Sequence, residues 1–243
     1  MRDDQLYFIA KPSGEFLALD EEESRHLLTV MRGRIGERVR LTDGRGTFYE
    51  AELVEASKRQ AYVRILETHA VPPPPGRLHL AIAPTKHIDR FEWLLEKATE
   101  LGVWRITPLL CQRSERTALR MDRLEKILIA ALKQSFQAWM PQLHPLTPLA
   151  EVVRHAEEPI RAIAWCGEGP RQPLQTLLRP RTDTLILIGP EGDFSLEEVA
   201  LAQTHGFAAV SLGASRLRTE TAGMLAAAAY RLLVADEDSV ARD

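Results

Sequence analysis

Apolar residues recur along this chain with two periods, and the change from one to the other falls at a run of prolines. Before that run, Arg38-Val39-Arg40-Leu41-Thr42 alternates polar and apolar, the period-two pattern of a half-buried strand. Asp43-Gly44-Arg45-Gly46 is turn chemistry, with glycines free to take positive φ. Thr47 to Leu53 continues as a strand, and Gln60 to Leu66 sets Ala61, Val63 and Ile65 on one face of another. A short helix with an acidic start is expected over Glu21 to Met31. Several short strands before Pro72 predict a small β-barrel. Such barrels often carry nucleic acid on one face, although a fold does not fix a function.

Pro72-Pro73-Pro74-Pro75-Gly76 favours a stiff extended segment that cannot join a central strand or a helix interior. The expected organisation is residues 1–71, a linker over 72–76, and residues 77–243. Past the linker the pattern alternates between strand and helix. Leu78 to Ala83, Trp104 to Leu110, Ala162 to Trp165, Leu185 to Ile188 and Ala208 to Leu212 are apolar runs of strand length. Ile88, Phe91, Leu94, Leu95, Ala98 and Leu101 share one helical face, and Gly102 ends that helix. Leu124, Ile127, Leu128, Ala131 and Leu132 mark a long helix. Ser195 to His205 and Glu220 to Ala235 mark two more. The fold class is α/β, with a largely parallel sheet and helices on both faces.

Composition narrows this little. The 243 residues are 45% hydrophobic and 27% charged, which excludes collagen, a mucin-like stalk and a wholly disordered chain. No apolar run has the length of a membrane span. Met1-Arg2-Asp3-Asp4-Gln5 is acidic and lacks the apolar core of a secretory signal, so the expected compartment is the cytoplasm. The net charge of −3 does not announce a nucleic-acid binder. Basic residues nevertheless cluster between Arg25 and Arg45 and again between Arg105 and Lys133. Solvated faces with local ion pairs account for these runs as well as a polarised binding surface does. Cys111 and Cys166 form no Cys-x-x-Cys pair, and no histidines lie three to five residues apart, so no metal site is expected. Both thiols are expected to be buried and inert.

Two loops could carry chemistry. Ile188-Gly189-Pro190-Glu191-Gly192-Asp193-Phe194-Ser195 follows a buried strand and precedes a helix, with Ser195 and Glu198 in the spacing of a capping box. Ligands bind at the carboxyl ends of strands in open α/β sheets, and glycines there let a ligand approach the backbone. The loop is not Gly-x-Gly-x-x-Gly and lacks the Lys-Ser/Thr of a phosphate loop, so a dinucleotide or ATP site is disfavoured. The second loop, Leu212-Gly213-Ala214-Ser215-Arg216-Leu217-Arg218-Thr219-Glu220-Thr221-Ala222-Gly223, also links a buried strand to a helix. That helix is rich in small residues and suits close packing or a subunit interface. Taken singly, these are a plain strand-to-helix turn and a charged surface loop. Together, at the ends of consecutive strands, they could form one pocket for a largely apolar ligand with a few polar anchors.

Gly189-Pro190-Glu191-Gly192, then Leu212-Gly213, then Leu217-Arg218-x-Glu220-Thr221-Ala222 resembles the cofactor region of SPOUT-class methyltransferases. Within that class the whole chain resembles the family that methylates N3 of a uridine in 16S ribosomal RNA. His26-Leu27-Leu28-x-Val30-Met31-Arg32, Gly36 and Asp43-Gly44 are similar to that family's small barrel domain. Lys86, Arg90, Glu92, Lys97 and Glu100-Leu101-Gly102-Val103 are similar to its first catalytic-domain helix, and Ile106-x-Pro108 and Arg113-Ser114 to the strand and loop that follow. The chain departs from the pattern at Lys133, where an acidic residue is frequent, at Gln137, where Arg is, and at Asp193, where many members carry a second glycine.

The resemblance implies a PUA-like RNA-binding barrel followed by a SPOUT α/β domain with a deep C-terminal trefoil knot. It also implies S-adenosyl-L-methionine held by the knotted loops, a homodimer, and the 16S ribosomal RNA of the small subunit as substrate. The cofactor-binding residues would be Ile188, Gly189, Pro190, Glu191, Gly192, Leu212, Gly213, Leu217, Arg218, Thr219, Glu220 and Ala222. Arg218 would face the uracil oxygens as the base loses its N3 proton, and Glu220 would orient Arg218 or a polar group of the cofactor. A first-turn acid complementing the helix dipole is the alternative for Glu220. His87 and Glu191 are possible proton acceptors. Arg25, Arg32, Arg34, Lys86, Arg90 and Arg113 would contact RNA. The alternatives are a non-catalytic RNA-binding or ribosome-assembly factor on the same scaffold, and a SPOUT enzyme with another RNA target.

Overall fold

The computed structural model describes residues 5–57 and 59–235. Met1 to Asp4, on which the expectation about a leader rests, lie outside the described residues. No helix among the described residues is long and apolar enough to cross a membrane. The chain divides into two compact units, Met1–Pro73 with Ile129–Met140, and Pro74–Leu128 with Pro141–Asp243.

The smaller unit is built on β1 (Leu6–Phe8), β2 (Phe16–Ala18), β3 (Arg38–Thr42), β4 (Thr47–Ala56) and β5 (Ala61–Ala70), in the order β1-β3-β4-β5-β2. β1 runs parallel to β3, and the other pairings are antiparallel. Alternation places Val39, Leu41, Ala51, Leu53, Ala61 and Val63 in one core with Tyr7, Ile9, Leu17, Leu19 and Leu27. The turn between β3 and β4 forms as its residues require. Asp43 Oδ1 accepts the N–H groups of Arg45 and Thr47 at 2.8 and 3.2 Å, while Gly44 and Gly46 take φ of +67° and +96°.

The helix expected over Glu21 to Met31 is interrupted. α1 (Glu21–Arg25) starts on an Asp20 side-chain cap, and His26–Val30 then widens into a π turn. Met31 N–H reaches back five residues to His26 C=O, and Leu27 stays buried. Within this unit Lys133 Nζ pairs with Glu23 Oε1 at 2.5 Å. Burial pushes the Glu23 carboxyl up, and the Lys133 ammonium opposes that push.

The larger unit carries β6 (Leu78–Ile82), β7 (Arg105–Leu110), β8 (Gln142–Leu143), β9 (Thr147–Pro148), β10 (Ile160–Ala164), β11 (Gln172–Pro173), β12 (Thr184–Ile188) and β13 (Ala208–Ser211). The sheet order is β11-β13-β10-β12-β6-β7-β8, with β9 also on β7. Every pairing is parallel. The helices are α2 (Ile88–Glu100), the start of α3 (Met121–Gln134), whose residues from Ile129 on belong to the smaller unit, α4 (Leu149–Arg154), α5 (Leu174–Leu177), α6 (Leu196–Thr204) and α7 (Thr219–Ala235). Both sheet faces are covered, which is why the strands read as unbroken apolar runs. Ala81, Ile163, Leu185 and Leu187 pack with Leu149 and Val153 of α4 and with Val199 and Ala202 of α6. On the other face, a Cβ added to Gly223 of α7 would sit 2.6 Å from Ile82 and 3.1 Å from Leu94 of α2. That glycine lets α7 lie against the sheet and α2.

Local signals hold here. Gly102, at φ +73°, ends α2, and Val103 N–H closes on Ala98 C=O. Ser195 and Glu198 form the reciprocal capping box of α6 at 2.9 and 3.2 Å. Gly76 is packed closely, since a Cβ there would lie 2.7 Å from Tyr230 Oη and 2.8 Å from the Arg181 backbone.

Candidate active site

The parallel sheet determines where a ligand can sit. β13, β10 and β12 are consecutive neighbours, with Ala164 in register with both Ile188 and Val210. Their carboxyl ends therefore share one edge, and each strand runs into a glycine-bearing loop. Between those loops is a cavity of about 750 Å³. Of the residues expected to hold a cofactor, Ile188, Gly189, Pro190, Glu191, Leu212, Gly213, Leu217, Arg218, Thr219 and Ala222 line it.

Hydrogen bonds tie the loops together. Thr219 Oγ1 donates to Gly189 C=O at 3.1 Å, joining the loop after β12 to the start of α7. Asp193, at φ +62°, accepts from Cys166 N–H through Oδ2 at 3.0 Å and from its neighbour Phe194 N–H through Oδ1 at 2.8 Å. Asp is among the few side chains that tolerate the left-handed region, so the position a glycine would fill holds a carboxylate clamp instead.

Two expected residues stand outside the cavity wall. Gly192 C=O accepts from Arg113 Nη1 at 2.8 Å, so Gly192 braces the loop from behind. Glu220 is buried at the first turn of α7. One of its oxygens lies 3.9 Å from Arg90 Nε, and the other is buried without a hydrogen-bond partner among the described residues. Arg218 is exposed at the rim and forms no ion pair with a described residue.

The third wall was not anticipated. Trp165, Cys166, Gly167 and Arg171 line the cavity after β10. Arg171 Nη1 donates to the carbonyls of Trp165 and Gly167, and the Trp165 ring lies against Gly167 and Gly169. Its signal was present in the sequence: Trp165-Cys166-Gly167-x-Gly169 directly follows a buried strand. Cys166 corrects the expectation of two buried thiols, because it follows the end of β10 and is exposed at the cavity. Cys111 is buried, and burial pushes its thiol well up.

The expected RNA contacts fall in two sets. Arg25, Arg32 and Arg34 are exposed on the smaller unit, Arg32 at φ +53°. Lys86, Arg90 and Arg113 belong to the larger unit, and Lys86 and Arg113 are already engaged. Lys86 Nζ pairs with Glu115 at 2.8 Å, Arg113 holds Gly192, and Arg90 lines the cavity. Of the two possible proton acceptors, Glu191 lines the cavity and accepts from Lys86 N–H at 3.3 Å, whereas His87 caps α2 outside it.

Proteins described as RNA methyltransferases share this architecture. A family described as an RNA methyltransferase domain matches residues 72–231, and one described as an RNA methyltransferase PUA domain matches residues 19–66. The solved structure of a protein described as a probable rRNA-methyltransferase from Porphyromonas gingivalis is 40% identical, with TM-score 0.88, covering 94% of this chain and 98% of that one. A ribosomal RNA small subunit methyltransferase E from Neisseria gonorrhoeae, solved bound to S-adenosyl methionine, is 28% identical with TM-score 0.83, covering 95% and 98%. The ribosomal RNA small subunit methyltransferase E of Aquifex aeolicus is 28% identical over 221 residues, 89% of this chain and 94% of that protein. The larger unit thus has the SPOUT α/β-knot fold and the smaller the PUA-like fold, as the motifs implied. The chain belongs to the RNA methyltransferase family that includes the ribosomal RNA small subunit methyltransferases E.

Proposed function

We propose that this protein transfers a methyl group from S-adenosylmethionine to N3 of a uridine in the 16S ribosomal RNA of the small ribosomal subunit. The observation that carries the reading is the cavity whose walls are joined by Thr219 and Gly189, in a chain so similar to a small-subunit RNA methyltransferase solved with that cofactor. The residues fit the cofactor. The cavity volume lies in the range of ligand sites, which is roughly 300–1,000 Å³. Gly189 and Gly213 expose backbone groups, while Ile188, Leu212, Leu217 and Ala222 offer apolar contact to an adenosine.

When bound, S-adenosylmethionine supplies an activated methyl on a sulfonium. Backbone groups of Ile188, Gly189, Leu212 and Leu217 hold adenosine and methionine parts, with Pro190 and Thr219 shaping the loops and Gly192 bracing them. N3 lies on the pairing edge, so the uridine enters unpaired or splayed out. Arg218, at the rim without an ion-pair partner among the described residues, meets the uracil oxygens and stabilises the base as its N3 proton leaves for water. Arg25, Arg32 and Arg34, with Lys86 and Arg113 beside the loops, carry the RNA backbone.

The functional division is a PUA-like RNA-binding barrel over residues 1–71, a linker over 72–76 and the methyltransferase domain over 77–243, with Ile129–Met140 packed in the smaller unit. A second copy of the chain covers the open side of α7, where Leu225 and Leu232 are 39% and 70% exposed. The working compartment is the cytoplasm. Incubating the protein with methyl-labelled S-adenosylmethionine and small subunits, then mapping label by mass spectrometry, tests the activity. One N3-methylated uridine in 16S RNA is expected. Label at a ribose or in transfer RNA would move the target. Cofactor binding absent beside retained RNA binding would leave a non-catalytic factor.

A further inference from the structure

The charged residues that line the cavity, among the described residues, are unbalanced: Arg90, Arg171, Arg216 and Arg218 oppose Glu191 and Asp193. The two carboxylates and one guanidinium are already committed to the loops. Glu191 accepts from Lys86 N–H, Asp193 holds Cys166 and Phe194, and Arg171 holds Trp165 and Gly167. Arg90 differs from the other cations because it projects from α2, a rigid element, and is backed by a buried carboxylate. Its Nε lies 3.9 Å from Glu220 Oε1, and Glu220 Oε2 has no hydrogen-bond partner among the described residues. A buried carboxylate with an open acceptor, next to a guanidinium that has not closed onto it, is a bidentate pair one small movement from completion.

A uracil that has lost its N3 proton spreads its charge over O2 and O4, which flank N3 on both sides. One guanidinium answers only one of those oxygens. Resting on the methyltransferase reading above, we propose that Arg90 is the second cation facing the reacting pyrimidine, opposite Arg218, and that Glu220 is the positioning residue that aims it. The N3 proton passes to water, the N3 lone pair takes the methyl carbon, and the S–C bonding pair remains on sulfur. Arg90 and Arg218 change no bond; they lower the energy of the anion that attacks. This moves Arg90 out of the set of RNA phosphate contacts and gives Glu220 a role without a place in the cavity wall.

The test compares wild type with Arg90→Ala, Arg90→Lys, Glu220→Gln and the double variant Arg90→Ala/Glu220→Gln, using full-length protein, small subunits and S-adenosylmethionine. Arg90→Ala should lower kcat at neutral pH by about 100-fold. Its rate profile should move alkaline by about two pH units, because the base ionises later without the cation and a hundredfold fall in its anion is two units. Added guanidinium should restore part of the rate, whereas Arg90→Lys should not, since an ammonium cannot reproduce the fork. Glu220→Gln should give the same alkaline displacement at smaller size, and the double variant should match Arg90→Ala. Cofactor affinity, measured calorimetrically, should change less than about threefold. Unchanged kcat and pH profile, with weaker RNA binding and a salt slope reduced by about one, would return Arg90 to the phosphate contacts and overturn the proposal. A wild-type protein that binds no cofactor would instead refute the underlying methyltransferase reading.

Discussion

Thr219 donates its hydroxyl to the Gly189 carbonyl at 3.1 Å, although the two residues are thirty positions apart in sequence. The bond joins the first turn of α7 to the loop after β12 and fixes the mouth of the cavity between them. Thr219 is 5% exposed, so water does not replace a lost donor there. Thr219→Val keeps the branched shape and leaves the Gly189 carbonyl unpaired at a cost of ~1–3 kcal/mol. Thermal unfolding should report that loss. Calorimetry should show S-adenosylmethionine bound roughly tenfold more weakly, since ~1.4 kcal/mol is a factor of ten. Thr219→Ser should keep most of both.

Asp193 is expected to be worth more than the glycine it replaces. Asp193→Gly keeps the φ of +62° without strain but removes the acceptor for Cys166 N–H. Cofactor affinity should fall by several-fold, on the order of one hydrogen bond, and the Cys166 thiol should react faster with iodoacetamide. Asp193→Ala should be worse, because it adds ~1–2 kcal/mol of left-handed strain.

Much of this site was legible in the sequence, for physical reasons that differ by residue. The loops after β12 and β13 announced themselves through glycines at strand ends and a capping box, all local signals. The wall from Trp165 to Arg171 carried the same kind of signal but joins the cavity only because β10 lies between β12 and β13, which is a matter of strand order. β1 and β2 have three residues each, too few to show a period. The assignment of Ile129–Met140 to the smaller unit depends on contacts such as Lys133 with Glu23, 110 positions apart, which no local pattern reveals. Glu220 was found by its motif, but its partner was not: the nearby cation is Arg90 of α2.

Gly46 should resist substitution. A Cβ there would sit 2.2 Å from the Trp139 ring, at a φ of +96° that side chains avoid. Gly46→Ala should destabilise the smaller unit by about 2–3 kcal/mol and change the tryptophan fluorescence.

At the amino ends of the strands, His79 Nδ1 meets Glu158 and Nε2 meets Thr107, both at 2.8 Å. An Nδ1–H donor to Glu158 and an Nε2 acceptor for the Thr107 hydroxyl satisfies all three groups. Burial works to raise the Glu158 carboxyl, but the His79 hydrogen bond and backbone donors outweigh it and hold the group below its ordinary value. A carboxylate depressed in the folded state stabilises above its unfolded value and loses that contribution as pH falls through the folded one. Glu158→Gln should therefore cost ~1–3 kcal/mol at neutral pH. The gap in Tm from wild type should stay constant above about pH 5 and narrow below it.

The most direct measurement is a calorimetric titration of the purified chain with S-adenosylmethionine, without RNA, beside the same titration of Thr219→Val. Saturable binding of one molecule per chain, weakened in the variant, is the expected result. A wild-type protein that takes up no cofactor, or a variant that binds it as tightly as wild type, would contradict the account.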